Sequence, residues 1–262
     1  CDWSSDVCSS DLGLFISHGD TWKKRRELEA PFFHPSNMQY FGNIMSSCSM
    51  ETAHRWGKTG EHGQIHVLPE MAKLTAEIIC RSMFGNHLGM ERAEIIVNGF
   101  SEYQRGINQF DLPSFFGLPD WFPRMPQKRS SLEAAQRIHR IVDDLILKQK
   151  LSPEENKSLL SMLINSRDPA TGQGMTDEQI RNEAIVIFMA GHETTANTLA
   201  WTWYLIAAHP RVECRLHEEL TRVLNGRDPV LDDVPNLKYT RAIIEETMRL
   251  YPPVPVLSRQ CR

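Results

Sequence analysis

The pattern of apolar and polar positions along the chain is helical almost throughout. Its longest reading starts at Thr176 and runs without a proline to His209-Pro210, where the missing N–H and the constraint on the preceding residue end a helix. Thr176 and Gln179 form a capping-box pattern at its start, with Asp177 and Glu178 in the first turn, where the helix dipole favours acids. The element predicted is about 33 residues and about 50 Å long, longer than most globular helices. Its middle is apolar on every face, which predicts burial. Apolar stripes at 3–4 spacing predict amphipathic helices over 38–57, 69–84, 91–107 and 130–150, a short one over 159–164, one after Pro210 and one over 237–251. Asp20 is an N-cap candidate for a helix ending near Pro31, and Gly226 ends the helix after Pro210. The expected fold class is mainly α, organised on one long central helix.

Inside that helix sit Gly191, His192, Glu193, Thr194 and Thr195. A helix-interior Gly costs about 1 kcal/mol relative to Ala, an unpaired Glu is expensive to bury, and Thr194 can bond back to the Ala190 carbonyl. Gly191 bares a patch of backbone to close approach. Together they suggest a groove suited to a small ligand and to proton delivery; a polar turn tolerated in a core helix is the plain alternative. His192-Glu193 is not a zinc-protease site, because His-Glu-x-x-His needs a second histidine where Ala196 stands. Trp22 and Arg26, at i and i+4, share a helix face, and an indole N–H beside a guanidinium makes an anion clamp or a surface stack. Glu246 and Arg249, at i and i+3, can pair.

AGHETT at 190–195 resembles the oxygen-activating motif of the cytochromes P450. EETMRLYPPVP at 245–255 resembles that family's Glu-x-x-Arg helix and the loop after it, in matching order and with a helix between the two motifs. Trp22-Lys-Lys-Arg-Arg26 resembles the family's haem-propionate helix. The resemblance covers roughly residues 13–262. It implies a cytochrome P450-like helical fold truncated at both ends: 13–262 as a partial domain, with 1–12 a disordered or artefactual tail, or else a genuine polar terminus.

The resemblance implies haem b (iron protoporphyrin IX) as cofactor. Trp22, Arg26 and Arg259 would hold its propionates, and Ala190 and Gly191 would flank the O₂ groove. Glu193 and Thr194 are the implied catalytic pair, organising water and protons. Val186, Val254 and Val256 would line an apolar substrate pocket, with Phe15 a weaker member; residues 254–257 resemble the pocket strand. His18, four before Trp22, is not assigned. Glu246 and Arg249 are implied as a structural ion pair that the family completes with a later Arg. The implied activity is hydroxylation of a hydrophobic small molecule using O₂, with NAD(P)H electrons delivered by a ferredoxin- or flavodoxin/reductase-type donor. Lys23, Lys24 and Arg25 are either part of that donor's docking face or a solvated charge run. Residues 110–126, rich in proline and aromatics, would lie over the substrate entrance, or form a loop pinned to the core.

The family's axial cysteine stands in a Phe-x-x-Gly-x-Arg-x-Cys-x-Gly loop. None of the six cysteines here has those surroundings, so no metal ligand is assigned. The expected parent is a monooxygenase; an inactive P450-like fragment or a haem-free helical scaffold is the alternative. A different all-α metal enzyme would need clustered carboxylates or histidines, and Asp143-Asp144 and Asp232-Asp233 read as isolated surface pairs. The 262 residues suffice for one sizeable core. A net charge of −4 points away from nucleic acid. The longest apolar run, 184–190, is too short to span a bilayer, and the cysteines show no zinc spacing and read as reduced thiols. A cytoplasmic monomer is expected.

Overall fold

The computed structural model describes residues 14, 17, 19–58, 63–85, 95–96, 98–99, 129–151, 157–169 and 171–256. The 1–12 tail, Phe15, His18, the 110–126 segment, Arg259 and most of the helix expected at 91–107 lie outside the described residues. Among those described no strand is present, and the fold is mainly α. The helices are α1 (Gly19–Glu29), α2 (Pro35–Gly57), α3 (Val67–Phe84), α4 (Arg129–Leu151), α5 (Leu159–Asn165), α6 (Asp177–Ala208), α7 (Pro210–Leu224) and α8 (Lys238–Leu250), with 3₁₀ turns at Ala30–Phe33 and Leu231–Asn236.

The 32-residue α6 is the long helix expected. Its capping box forms in both directions: the Gln179 amide donates to Thr176 Oγ1 at 3.2 Å, and the Thr176 amide to Gln179 Oε1 at 2.9 Å. Three details differ from expectation, and the stop of α7 does not. Asp20 lies within the first turn of α1, where it meets the dipole without capping. α7 stops as expected: Asn225 (φ 48) and Gly226 (φ 82) both take the left-handed conformation directly after Leu224. Residues 251–256 are irregular, with bends at 251, 253 and 254, since a strand needs a partner to satisfy its backbone. The middle of α6 is not buried on every face, as described below.

The chain divides into two compact units, residues 1–34 with 80–189 and residues 35–79 with 190–262. The core of the first is apolar and helical. It includes Met83 and Phe84 of α3, Ile138, Val142, Leu145 and Ile146 of α4, and Ile180, Ala184 and Phe188 of α6. The seven-residue α5 is too short to be stable alone. It persists because Ser158 caps it and because Leu159, Leu160 and Leu163 are buried, each burial worth about 2 kcal/mol. Asp143 is not isolated: Arg181 Nη1 holds both its oxygens, at 3.0 and 2.9 Å.

In the second unit Cys48 of α2, Met71 and Leu74 of α3 and Ala196 of α6 form a core, with Ile44, Trp56, Ile78 and Leu199 packed on it. Asp233 is buried rather than on the surface. Arg227 Nη1 donates to its Oδ2 at 2.7 Å and the Val230 amide at 2.9 Å. The Arg227 hydrogen bond, then that amide, hold its carboxyl down at about 2.

Candidate functional site

In the first unit, α1 places Trp22 and Arg26 on its exposed side, with Trp22 45% exposed. Among the described residues neither has a hydrogen-bond or ion-pair partner. Lys23 and Lys24 are exposed as a solvated run would be, but Arg25 is not: it is buried and pairs with Glu183 of α6. Two neighbouring arginines thus point to different environments, because a helix turns 100° per residue. Val186 is half-buried in this unit. Sequence reading missed both Glu183 and Glu29. The one signal was a glutamate directly before the apolar run of α6, since a buried acid must find a partner.

In the second unit the AGHETT turn is split by helix geometry. Gly191 and His192 face protein. The position a Gly191 Cβ would take is 3.1 Å from Ile79 Cδ1, so the backbone patch bared by this glycine is approached by α3. Thr75 Oγ1 donates to the His192 carbonyl at 3.0 Å, and the His192 ring hydrogen-bonds the Ala72 backbone. Burial pulls the imidazole pKa below its ordinary value, while the Ala72 bond and the Glu193 charge act the other way. The ring is thus held against α3 in the interior of this unit.

Ala190, Glu193 and Thr194 lie at i, i+3 and i+4 on the other side, where Ala190 and Glu193 are exposed and Thr194 half-buried. Thr194 Oγ1 donates to the Ala190 carbonyl at 2.7 Å. Thr198 does the same to Thr194 at 2.9 Å and Thr202 to Thr198 at 2.8 Å, so three threonines at four-residue spacing form a ladder along α6. A hydroxyl donating to a main-chain carbonyl keeps its lone pairs as acceptors. The α-helix is unbroken through the motif.

Glu246 and Arg249 pair in a two-pronged geometry, both contacts 2.7 Å, and both side chains are exposed. The helix carrying them has no side-chain cap of its own. Glu219 of α7 supplies one, accepting from the Tyr239 and Thr240 amides at 2.7 and 2.8 Å. Burial would raise the Glu219 pKa, but these hydrogen bonds outweigh it and the net shift is downward. Beyond α8, Tyr251 stacks on Trp201 of α6 with ring centres 4.0 Å apart. Val254 and Val256 are 49% and 78% exposed. The structure therefore brings Ala190, Glu193 and Thr194 together on one face, and Glu246 with Arg249. Val254 and Val256 belong to the same unit as these, and Trp22, Arg26 and Val186 to the other.

Among the described residues no group of three or more His, Cys, Asp or Glu could hold a metal ion. Cys48 and Cys80 are thiols in the interior of helices and Cys214 is exposed on α7. No helix among the described residues is long and apolar enough to cross a membrane.

The family model for cytochrome P450 matches residues 4–262. The chain is similar to cyclooctat-9-en-7-ol 5-monooxygenase of Streptomyces melanosporofaciens, 29% identical over 242 residues, covering 92% of this chain and 51% of that protein. It is 31% identical over 260 residues to pentalenene oxygenase of Streptomyces avermitilis, covering 98% and 56%. It is 30% identical over 253 residues to a bifunctional cytochrome P450/NADPH–P450 reductase of Bacillus subtilis, covering 94% and 24%. The chain spans about half the length of the first two relatives.

Proposed function

Since the chain belongs to the cytochrome P450 family, we propose that the whole protein is a haem-dependent monooxygenase that hydroxylates a hydrophobic small molecule. The observation that carries this reading is the exposed side of the AGHETT turn, where Thr194 donates to Ala190 at 2.7 Å beside an exposed Glu193. The donor set of α1 fits the cofactor. Haem presents two carboxylates, and the indole N–H of Trp22 and the guanidinium of Arg26 are unengaged donors on one helix face. Those two residues, with Arg259, would hold the propionates. Of the two small residues assigned to the O₂ groove, Ala190 is open and would leave room for the cofactor, whereas the bared backbone of Gly191 is already met by Ile79. Bound haem would supply the reductive activation of O₂ and the oxidation of a substrate C–H bond.

The chain's own residues manage protons. Thr194, anchored by its hydrogen bond to Ala190, keeps an acceptor position for a water molecule. Glu193, open to solvent, exchanges protons with bulk and passes them to that water. Val186, Val254 and Val256 would contribute apolar surface to the substrate. The similar proteins named for pentalenene and for cyclooctat-9-en-7-ol support an apolar substrate. The fused reductases among the relatives support electron supply from NADPH through a reductase-type partner, and the exposed Lys23 and Lys24 suit an acidic donor. Its place of action on this reading is the cytoplasm.

In the haem-loaded protein, Thr194→Ala is expected to lower product formed per NAD(P)H consumed on the order of tenfold, with NAD(P)H consumption continuing. Unchanged coupling would remove Thr194 from the reading. A second reading is a haem-free helical scaffold; among the described residues the cysteines Cys48, Cys80 and Cys214 all stand on helices. Titrating the purified chain with haem and recording the Soret band of the reduced, carbon monoxide-treated sample separates the two. A thiolate-type band sinks the scaffold reading, and no haem uptake sinks haem binding by this chain.

A further inference from the structure

Three charged side chains are buried together in the first unit: Arg25, Glu29 and Glu183, at 6%, 1% and 0% exposure. Glu183 is the hub. Its Oε1 pairs with Arg25 Nη1, and its Oε2 accepts the Leu14 amide at 3.0 Å. Glu29 lies against Glu183 within hydrogen-bond reach, while its Oε1 has no partner among the described residues. The cluster therefore holds two carboxyls and one guanidinium away from water.

With both carboxyls ionised it would carry a net negative charge, with like charges in contact in a low-dielectric interior, which is strongly unfavourable. A hydrogen bond between two carboxyl groups also requires one proton, because an ionised carboxylate only accepts. We propose that Glu29 keeps its proton and donates it to Glu183 beside the Arg25 guanidinium, forming a neutral lock that fixes α1 on α6 and sets the rotation of α1 about its axis. Arg25 and Glu29 are at i and i+4 and form one stripe of α1; Trp22 and Arg26 form the adjoining stripe. Fixing the first stripe against Glu183 fixes where the second one lies. Arg25, Glu29 and Glu183 are thus positioning residues for the Trp22–Arg26 face. That last consequence rests on the haem reading, and the lock itself does not.

The charged groups that act on Glu29 are Glu183 from α6 and Arg25 and Arg26 from α1. Burial first, then Glu183, push the Glu29 carboxyl up from 4.5 to about 8, against the smaller opposing pull of the two arginines. The sign follows from proton binding. Across this interval the folded chain holds a proton that the unfolded chain has released, so stability falls as pH rises. The lock is complete below the ordinary carboxylate value, weakens toward about 8, and is lost above it.

Infrared spectroscopy of the wild-type chain and of Glu29→Gln tests this directly, together with amide hydrogen exchange of α1 from about pH 6 to about pH 9. Wild type should show the C=O stretch of a protonated carboxylic acid at neutral pH. That band should titrate away in mild alkali and be absent from Glu29→Gln. Exchange protection of α1, corrected for the intrinsic pH dependence, should fall with rising pH in wild type and stay level in Glu29→Gln, whose amide is neutral at every pH. Absence of the acid band in neutral wild type overturns the proposal, as does an equal loss of α1 protection in both proteins. If Glu29→Gln does not fold, the wild-type band and its titration decide alone. None of these readouts needs haem, so a failure of the haem reading leaves them unchanged.

Discussion

Two arginine–glutamate pairs in this chain have opposite characters. Arg249 and Glu246 meet in a two-pronged geometry at 2.7 Å on a single helix, three residues apart, with side chains 66% and 55% exposed. Arg25 and Glu183 join two helices across 158 positions of sequence, and water reaches almost nothing of either. The first pair has the better-defined spacing and the smaller effect, because solvent screens its attraction and competes for its hydrogen bonds. The second has removed two charges from water and survives only because each answers the other. Ion-pair geometry alone therefore ranks the two wrongly, and burial ranks them correctly.

Applying the same substitution to both pairs breaks the comparison open. Arg25→Met keeps an unbranched apolar stem, shorter than that of arginine, and deletes the only cation of the buried cluster. Glu183 and Glu29 are then left facing each other, and the expected loss of stability is about 3–5 kcal/mol at neutral pH, measured by urea denaturation. A loss under about 1 kcal/mol would mean that the cluster is reached by water and behaves like the surface pair.

A smaller effect is expected at the AGHETT turn, where a packed side and an open side again lie a few residues apart. Gly191→Ala gains about 1 kcal/mol of helix propensity but sets a methyl 3.1 Å from Ile79 Cδ1. That atom is the tip of a flexible side chain and can yield a few tenths of an ångström, so the two terms nearly cancel. Removing Cδ1 with Ile79→Val should make Gly191→Ala more favourable by about 0.5–1 kcal/mol than it is in wild type, measured as a double-mutant cycle. Zero coupling would mean that Gly191 and Ile79 do not press on one another, and that the packed face of the motif is looser than the geometry indicates.

The contrast between the pairs also explains what the sequence made legible. Helix α6, its capping box and its stop at Pro210 are local features, set by residues within a turn or two of each other, and they stand where the pattern places them. The bond from Thr194 to Ala190 is of the same kind. Long-range facts were not available. Nothing in the run of α1 distinguishes Arg25 from Lys23 and Lys24 until α6 brings Glu183 to it. Asp233 looks like a surface residue until Arg227 and the Val230 amide close on it. Gly191 announces a close approach without saying that Ile79 makes it. The irregular chain at 254–256, in the stretch 254–257 where a strand was expected, follows from the same limit, since a strand is defined by a neighbour that its own residues do not encode.

The smallest effect belongs to the exposed pair. Arg249→Met deletes the partner of Glu246, whose carboxyl is held below its ordinary value by the hydrogen bonds from Arg249. The stability drawn from that shift is present above the ordinary carboxylate value and is lost as the pH falls through the lowered one. At neutral pH it should therefore be at its full, small value. The urea midpoint of Arg249→Met is expected to match wild type within replicate scatter, and added salt should not change the comparison. A clear loss that persists in high salt would show that Arg249 is covered in solution and works as a buried group. The two arginines would then differ in their partners and no longer in their exposure, and the contrast drawn between them would fail at its exposed end.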